Sequence, residues 1–349
     1  MNGTVSPATG RTFLTVSEII RKYVQPKPKE GVLIVADTES DATTIQAIAA
    51  ASHFHKAEPV IMTVPPTFLE GTQRDMPPAV FKALEEVDIY FPMTATTGHS
   101  IHVKEVAAAL YDKDRKKNIR CFVFAAFYGA GITSAIDALR THDYHEVMRL
   151  GKQFEQYFMP GKEVRVTSQV GTDFTASIEG IPYRAISALA LEPGQIGGIN
   201  IGECYGGPVE FTAEGTIVID GAFVGVAEGK AFLDEPITVK VKGGKVIDIK
   251  GGQEAAAFKR IIETTEGADV FAEVSAGTNP FLRLNGDIRG NDKWVLGTMH
   301  VAFGQTTFQI YPYGTNDCEV HCDALLTKPS CWVDGKQILK DGVPLIFGS

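Results

Sequence analysis

The sequence has no long apolar run, few cysteines and no apolar stretch after a basic start. No segment approaches the ~20 apolar residues that a helix needs to cross a bilayer, and no secretory leader is indicated. The five cysteines are an odd number without a CxxC pair, which excludes a disulfide framework and the usual zinc ribbon. We therefore predict a cytoplasmic protein whose thiols are reduced and mostly buried.

Basic charge is also scarce and scattered. The formal net charge is -9, from 33 Lys and Arg against 42 Asp and Glu, which argues against a broad nucleic-acid surface. Hydrophobic residues make up 44% and charged residues 21%, which are ordinary globular values and exclude disordered or fibrous proteins. We expect a small-molecule substrate as the partner, with no nucleic acid and no membrane.

Compact catalytic motifs are missing as well. There is no GxSxG elbow, no HExxH and no GxGxxG that opens a helix, and Cys318, Cys322 and Cys331 lack the context of a nucleophile. The glycine-rich stretch PGQIGGINIGECYGG has no GKS or GKT ending. We interpret it as backbone turns rather than as a phosphate-binding loop.

The pattern of apolar segments predicts two domains. Residues 1–155 alternate buried strands such as GVLIVADT and RCFVFAAF with helical segments such as SDATTIQAIAAASHFHKA, capped by Ser40 or Asp41. This order is typical of an α/β fold with a doubly wound parallel sheet. Residues 156–349 change to short alternating strands between Gly-rich turns, which predicts a mainly antiparallel α+β domain.

Acidic and imidazole side chains interrupt the apolar strands of the second half. They are Glu210, Glu273, His300, His321 and Asp323. A charged group inside an apolar run costs several kcal/mol unless it is paired or coordinated. Taken singly, each is more often a solvent-facing or hydrogen-bonded residue. Together they form an oxygen and nitrogen ligand set for zinc, cobalt, manganese or iron, large enough for two ions that share a carboxylate.

His321 and Asp323 give the most specific local signal in this set. They stand two residues apart in EVHCD, so in a strand they point to one face. Cys322 lies between them and should point away from a metal bound there.

Four segments in order, GGPVEFTAEGTIVIDG, FAEVSAGTNP, LGTMHVAFG and VHCD, resemble the signatures of the thermophilic aminopeptidase family, the metallopeptidases of the aminopeptidase T and S type. GTDFTASIEG resembles the hairpin that precedes them. The resemblance covers residues 160 to 330 well and the first domain loosely. It implies a divalent zinc, cobalt or manganese cofactor and a homo-oligomer. It places metal ligands at Glu210, Glu273, His300, His321 and Asp323.

The chain also resembles a shorter relative in the same superfamily, 2,5-dihydroxypyridine 5,6-dioxygenase. That enzyme holds one Fe(II) by two histidines and one aspartate. His321 and Asp323 match this set, but Glu273 stands where the other histidine would be. The segment between His300 and His321 is short for a peptidase, which leaves Tyr311 and Tyr313 as substitutes for the family's active-site tyrosine.

The dioxygenase resemblance implies a catalytic histidine at the HS step, which is His99 in this chain. His102 lies close by in TTGHSIHVKEV, after the third predicted strand, where α/β sheets bind ligands. Both are equally well explained as helix N-terminal residues that face water.

These observations predict a metal-dependent hydrolase of an amide or peptide-like bond in a small substrate. The ions would activate a water, and Glu210 or His99 would shuttle its proton. Two alternatives stay open. One is an Fe(II) ring-cleaving dioxygenase of a hydroxylated aromatic, and the other is a non-catalytic binding protein that keeps the cleft.

Overall fold

The computed structural model describes six stretches of the chain, residues 6–65, 76–94, 103–124, 131–226, 232–288 and 291–347. They divide into two compact units. The first contains the described residues up to 142 together with 188–200, and the second contains 143–187 and 201–347. The predicted boundary at 155 therefore falls inside a helix of the second unit.

The first unit is a parallel sheet with helices, as predicted. Its helices are α1 (Pro7–Ile19), α2 (Ala42–Phe54), α3 (Pro78–Leu84), α4 (Lys104–Tyr111) and α5 (Gly131–Thr141), and a π-helical turn, Ile20–Val24, follows α1. Its strands, numbered in chain order, are β1 (Gly31–Asp37), β2 (Glu58–Val64), β3 (Ile89–Pro92), β4 (Arg120–Val123) and β8 (Ile196–Gly198). The order is β2-β1-β3-β4-β8, and every pair is parallel.

Local sequence explains most of this unit. Strands β3 and β4 are buried along their whole length, which matches their continuous apolar runs. Asp41 caps α2 by accepting hydrogen bonds from the backbone N–H groups of Thr43 and Thr44. No described helix in either unit is long and apolar enough to cross a membrane.

The second unit is mainly antiparallel, as predicted. Its helices are α6 (Tyr144–Phe158) and α7 (Gln253–Thr264). Its strands are β5 (Glu163–Thr167), β6 (Asp173–Ser177), β7 (Arg184–Ile186), β9 (Glu203–Tyr205), β10 (Glu214–Ile219), β11 (Ile237–Lys242), β12 (Lys245–Lys250), β13 (Phe271–Gly277), β14 (Met299–Gly304), β15 (His321–Leu326), β16 (Ser330–Val333), β17 (Lys336–Lys340) and β18 (Val343–Pro344). One sheet has the order β12-β11-β10-β6-β5-β16-β17-β18, and the other has the order β15-β14-β13-β9-β7.

The glycine-rich stretch that we interpreted as turns contains two strands, so that interpretation is wrong in part. Residues 196–198 form β8, and residues 203–205 form β9. The glycines serve close backbone approach. A Cβ on Gly197 would lie 2.6 Å from the Ala188 carbonyl oxygen, and one on Gly207 would lie 2.4 Å from the Ala272 carbonyl oxygen.

An aromatic core fixes the central strands of the five-stranded antiparallel sheet of the second unit. The Phe271 and Phe303 rings lie 5.7 Å apart on β13 and β14, and Phe258 of α7 lies 5.1 Å from Phe303. All three side chains are fully buried. Burying each such ring stabilises the fold by about 1.5–3 kcal/mol, so this face anchors β13 and β14.

Candidate metal centre

The strand register places the acidic residues in rows across the five-stranded antiparallel sheet of the second unit. Glu273 of β13 pairs with Ala302 of β14, and Ala302 pairs with Asp323 of β15. The neighbouring row pairs Ser275 with His300. Directly paired residues in antiparallel strands point to the same face. One face of the sheet therefore carries these polar side chains, and the small Ala302 leaves space between the two carboxylates.

A β-bulge puts Glu273 on that face. Phe271 pairs with Phe303, whereas Glu273 pairs with Ala302, so the register shifts between Phe271 and Glu273. Without the bulge, the two residues would share a face because they are two apart. With the extra residue, Phe271 points into the aromatic core and Glu273 points to the polar face.

Glu203 reaches the same face from the next strand. It lies on β9 and pairs with Gly277 of β13, which is two residues beyond Ser275. Glu203 Oε2 is 3.5 Å from His300 Nε2, and it has no hydrogen-bond partner among the described residues. Glu203 is not among the ligands predicted from the sequence. It carries the same signal as Glu273, a charged residue within an apolar strand, but it lies in the glycine-rich stretch, whose pattern indicates turns.

The Glu273 carboxylate lies between both histidines. Its Oε1 is 3.0 Å from His300 Nε2 and accepts a hydrogen bond from the Ser275 hydroxyl at 2.6 Å. Its Oε2 is 3.0 Å from His321 Nε2. Each carboxylate oxygen therefore faces a different imidazole, an arrangement in which one carboxylate can bridge two ions.

His321 is held in the orientation of a metal ligand. Its Nδ1 lies 3.0 Å from the Gln305 carbonyl oxygen, to which an N–H at this position donates. Its Nε2 faces Glu273 Oε2 and, at 3.2 Å, Asp323 Oδ1, and the Gln309 amide nitrogen lies 3.1 Å away. The Gln309 amide can donate only to an unprotonated Nε2, but the two carboxylates outweigh it and favour a proton or a metal ion on this nitrogen.

Lys293 is a second residue of the site that the sequence pattern does not predict. It lies in a short 3₁₀ helix, Asp292–Trp294, and its Nζ is 2.6 Å from Asp323 Oδ2. Asp323 Oδ1 has no hydrogen-bond partner among the described residues, because its approach to His321 lacks hydrogen-bond geometry. Nothing in the local sequence NDKWVL marks this lysine as buried.

Burial and charge compete in setting the protonation of this site. Burial raises the pKa of Glu203. Burial also opposes ionisation of Glu273, but hydrogen bonds from His300 and His321 outweigh it and hold the pKa of Glu273 well below its ordinary value. Burial also raises the pKa of Asp323, but Lys293, His321 and His300 together outweigh it and keep the value low.

The pKa values of the cationic groups are raised. Burial lowers the pKa of His321, but the adjacent carboxylates of Asp323 and Glu273 outweigh it and raise the value to about 10. Burial likewise opposes the charge of His300, and Glu273 raises its pKa overall. The pKa of Lys293 is raised too, because Asp323 and Glu203 overcome its burial. Without a metal, the carboxylates of the site therefore favour the protonated form of both histidines.

Two groups of potential metal ligands result, and they share Glu273. The first is Glu203, Glu273 and His300, and the second is Glu273, His321 and Asp323. Within each group the ligand atoms lie within 4.8 Å of one another, and all the residues are buried. The unpartnered Glu203 Oε2 and Asp323 Oδ1 add one free oxygen to each group. This donor set fits a divalent ion of the zinc, cobalt, manganese or iron type.

The structure does not bring Glu210 into either group. Its carboxylate accepts hydrogen bonds from the backbone N–H groups of Thr315 (2.8 Å) and Asn316 (3.1 Å) and from the Thr306 hydroxyl. Burial raises the pKa of Glu210, but these hydrogen bonds outweigh it and lower the value overall. Glu210 therefore stabilises the loop that follows β14. Its carboxylate is occupied by these hydrogen bonds, unlike that of a residue that transfers protons.

The remaining residues considered from the sequence are His99, His102, Tyr311, Tyr313 and Cys322. His99 and His102 lie outside the described residues. Tyr313 is 59% exposed, and Tyr311 precedes a cis peptide bond in the same loop. Cys322 packs into the hydrophobic core on the face opposite His321, which confirms that it points away from the ligands.

The fold of this chain is shared with two proteins of known structure. The structure resembles that of 2,5-dihydroxypyridine dioxygenase from Pseudomonas putida, with a TM-score of 0.78, 17% identity and 98% of each chain covered. It also resembles AmpT from Thermus thermophilus, with a TM-score of 0.63 and 13% identity; the match covers 96% of this chain and 99% of AmpT. At these identities, the likenesses establish the fold alone.

The chain belongs to the 2,5-dihydroxypyridine 5,6-dioxygenase family, whose sequence model matches residues 139–345. No protein of curated function matches the chain. The match covers most of the second unit, including every member of the two ligand groups. It confirms the predicted relationship to this dioxygenase family, and the likeness to AmpT shows that the two chains share a fold.

Proposed function

We propose that this protein is a metal-dependent hydrolase that cleaves an amide or peptide-like bond in a small substrate. The observation that carries the proposal is the composition of the two ligand groups. Each group offers two carboxylates and one imidazole, and Glu273 belongs to both. Among the described residues, no ligand group contains the two histidines and one carboxylate typical of a non-haem Fe(II) oxygenase.

The ligand set of this proposal contains Glu203 in place of Glu210. Divalent zinc, cobalt or manganese bound there would polarise a substrate carbonyl and lower the pKa of a coordinated water. The protein's own part is to fix the ligands. The Gln305 carbonyl orients His321, Ser275 orients Glu273, and Lys293 orients Asp323.

Burial adds a second contribution to this chemistry. Glu203, Glu273, His300, His321 and Asp323 are all nearly inaccessible to solvent. A dry site strengthens the attraction between bound ions and developing negative charge on a carbonyl oxygen. Among the carboxyl groups of Glu203, Glu273 and Asp323, only that of Glu203 has a raised pKa. Glu203 is therefore the residue of the set best suited to hold a proton during turnover.

The second candidate is a ring-cleaving dioxygenase, and the family match supports it. In that case a single Fe(II) would use Glu273, His321 and Asp323, with one imidazole instead of two. His99 would be the catalytic histidine that the resemblance implies.

One set of measurements on the purified protein separates the two candidates. Metal analysis of protein prepared without added metal, followed by anaerobic assay of amino-acid amides with and without a chelator, tests the hydrolase. We expect about two divalent ions per chain and chelator-sensitive release of product without O₂. One iron per chain, with O₂ consumed in step with loss of 2,5-dihydroxypyridine, would instead establish the dioxygenase. Protein that binds no metal would support the non-catalytic alternative.

A matched pair of variants ties the activity to the site. Asp323→Asn should abolish turnover and reduce metal content. Asp269→Asn is the control, because Asp269 forms an ion pair with Lys245 (3.1 Å) outside both ligand groups. Equal activity in both variants would remove Asp323 from the proposed mechanism.

A further inference from the structure

The buried ammonium of Lys293 makes the two ligand groups chemically different. Its side chain is 14% exposed and that of Asp323 is 8% exposed, and their charged atoms are 2.6 Å apart. The ammonium also lies 5.7 Å from the centre of the Trp294 ring. An amine paired this closely with a carboxylate is charged at neutral pH. The site therefore contains a fixed positive charge before any metal binds.

The contact restricts how Asp323 can bind an ion. Oδ2 accepts the hydrogen bond from Lys293, whereas Oδ1 has no hydrogen-bond partner among the described residues and faces His321 Nε2. Asp323 can therefore offer Oδ1 alone to an ion that His321 also binds. Glu273 differs, because each of its oxygens faces a different histidine.

The charge balance also differs between the two groups. Metal ligands bind in their deprotonated form, so in the metal-bound site the three carboxylates of Glu203, Glu273 and Asp323 carry three negative charges; Lys293 offsets one, which leaves two. One divalent ion would neutralise this remainder. A second ion would add excess positive charge, and repulsion from Lys293 falls most heavily on an ion next to Asp323 because Coulomb energy decreases with distance.

We infer that Lys293 makes the two metal positions unequal. The ion held by Glu203, Glu273 and His300 is the tight one, and the ion held by Glu273, His321 and Asp323 is the weak, exchangeable one. This inference rests on the metal site of the proposed function and does not depend on which substrate is cleaved. Lys293 acts here as a positioning residue for Asp323 and as a counter-charge.

Cobalt(II) titration of the metal-stripped full chain tests the inference, with bound metal measured by equilibrium dialysis. We expect wild-type protein to bind one ion tightly and a second at least about tenfold more weakly. Lys293→Met keeps most of the side-chain length but removes the charge, and it should tighten the second ion by at least about tenfold. Lys293→Arg keeps the charge and should retain the wild-type pattern.

Lys245→Met is the matched control, because it removes a surface lysine that pairs with Asp269. It should leave both cobalt affinities unchanged. If Lys293→Met does not fold, as judged by circular dichroism, Lys293→Gln provides the same comparison.

Two equal wild-type sites would overturn the inference, and so would a second site that Lys293→Met leaves unchanged or weakens. Those results leave the proposed metal site intact. Wild-type protein that binds no cobalt would overturn the metal site of the proposed function itself, and the inference with it.

Discussion

Glu273 Oε2 lies 3.0 Å from His321 Nε2, although β14 separates the strands that carry the two residues. The contact spans the sheet because the β14 residues in register with Glu273 and His321 are Ala302 and Gly304, which carry only a methyl group and no side chain. The other oxygen of Glu273 contacts His300. Glu273 is therefore the residue through which the two ligand groups depend on each other.

Removing this shared ligand should affect both metal positions. We expect Glu273→Ala to lose both ions, whereas Glu203→Ala should lose about one, because Glu203 belongs to a single group. The measurement is metal content per chain after gel filtration, with folding checked by circular dichroism. If Glu203→Ala and Glu273→Ala lose the same amount of metal, Glu273 does not bridge two positions.

Filling the space at Ala302 should block the site without removing a ligand. Ala302 is fully buried and pairs with both Glu273 and Asp323. We expect Ala302→Leu to lower metal affinity at least about tenfold and to destabilise the fold by about 1–3 kcal/mol from overpacking. Isothermal titration and chemical denaturation measure these two effects.

Ala324→Leu is the control for Ala302→Leu, because Ala324 is equally buried but belongs to the hydrophobic core. It should cost similar stability while metal affinity stays near the wild-type value. Loss of metal in both variants would show that general disruption, and not occupation of the polar face, is responsible.

Metal binding should release protons at neutral pH. The pKa of His321 is raised to about 10, so the metal-free site holds a proton on the nitrogen that a metal would bind. Metal affinity should therefore increase as the pH rises toward 10. Titration calorimetry in two buffers with different ionisation enthalpies measures the protons released, and identical heats in both buffers would contradict this.

The same raised pKa gives the metal-free protein a defined dependence of stability on pH. A group whose pKa is higher in the folded state stabilises fully below its ordinary value of 6.5 and loses that contribution as the pH rises through about 10. The metal-free wild type should therefore lose stability over this window, and His321→Gln should lose less. Denaturation midpoints at intervals from pH 6 to 10 check the difference.

Glu210 should matter for stability and not for metal content. It accepts hydrogen bonds from Thr306, Thr315 and Asn316, so we expect Glu210→Ala to cost about 1–3 kcal/mol. Its lowered pKa means that this contribution is complete above the ordinary glutamate pKa of 4.5 and is lost as the pH falls below it. Urea denaturation at pH 7 and at pH 4 measures both effects.

Glu179→Ala is the control for Glu210→Ala, because it removes an exposed glutamate that pairs with Lys162. It should change stability by less than about 0.5 kcal/mol. A clear loss of metal in Glu210→Ala would return Glu210 to the ligand set.

Local pattern in the sequence was enough for the strands, the fold class and one part of the site. Continuous apolar runs predicted β1, β3 and β4, because strands of a covered parallel sheet are buried on both faces. The alternation of a strand placed His321 and Asp323 together and turned Cys322 into the core, because this geometry depends on neighbouring residues alone.

Tertiary structure decided the rest. Glu203 replaces Glu210 in the ligand groups because β9 pairs with β13, about seventy residues further along the chain. Glu273 faces the site because a bulge against β14 reverses the orientation that simple alternation predicts from Phe271. Lys293 meets Asp323 through a turn between strands. Each of these contacts depends on pairing between segments that are distant in the sequence. The residues next to Glu203, Glu273 or Lys293 in the sequence therefore do not indicate which residue it will contact.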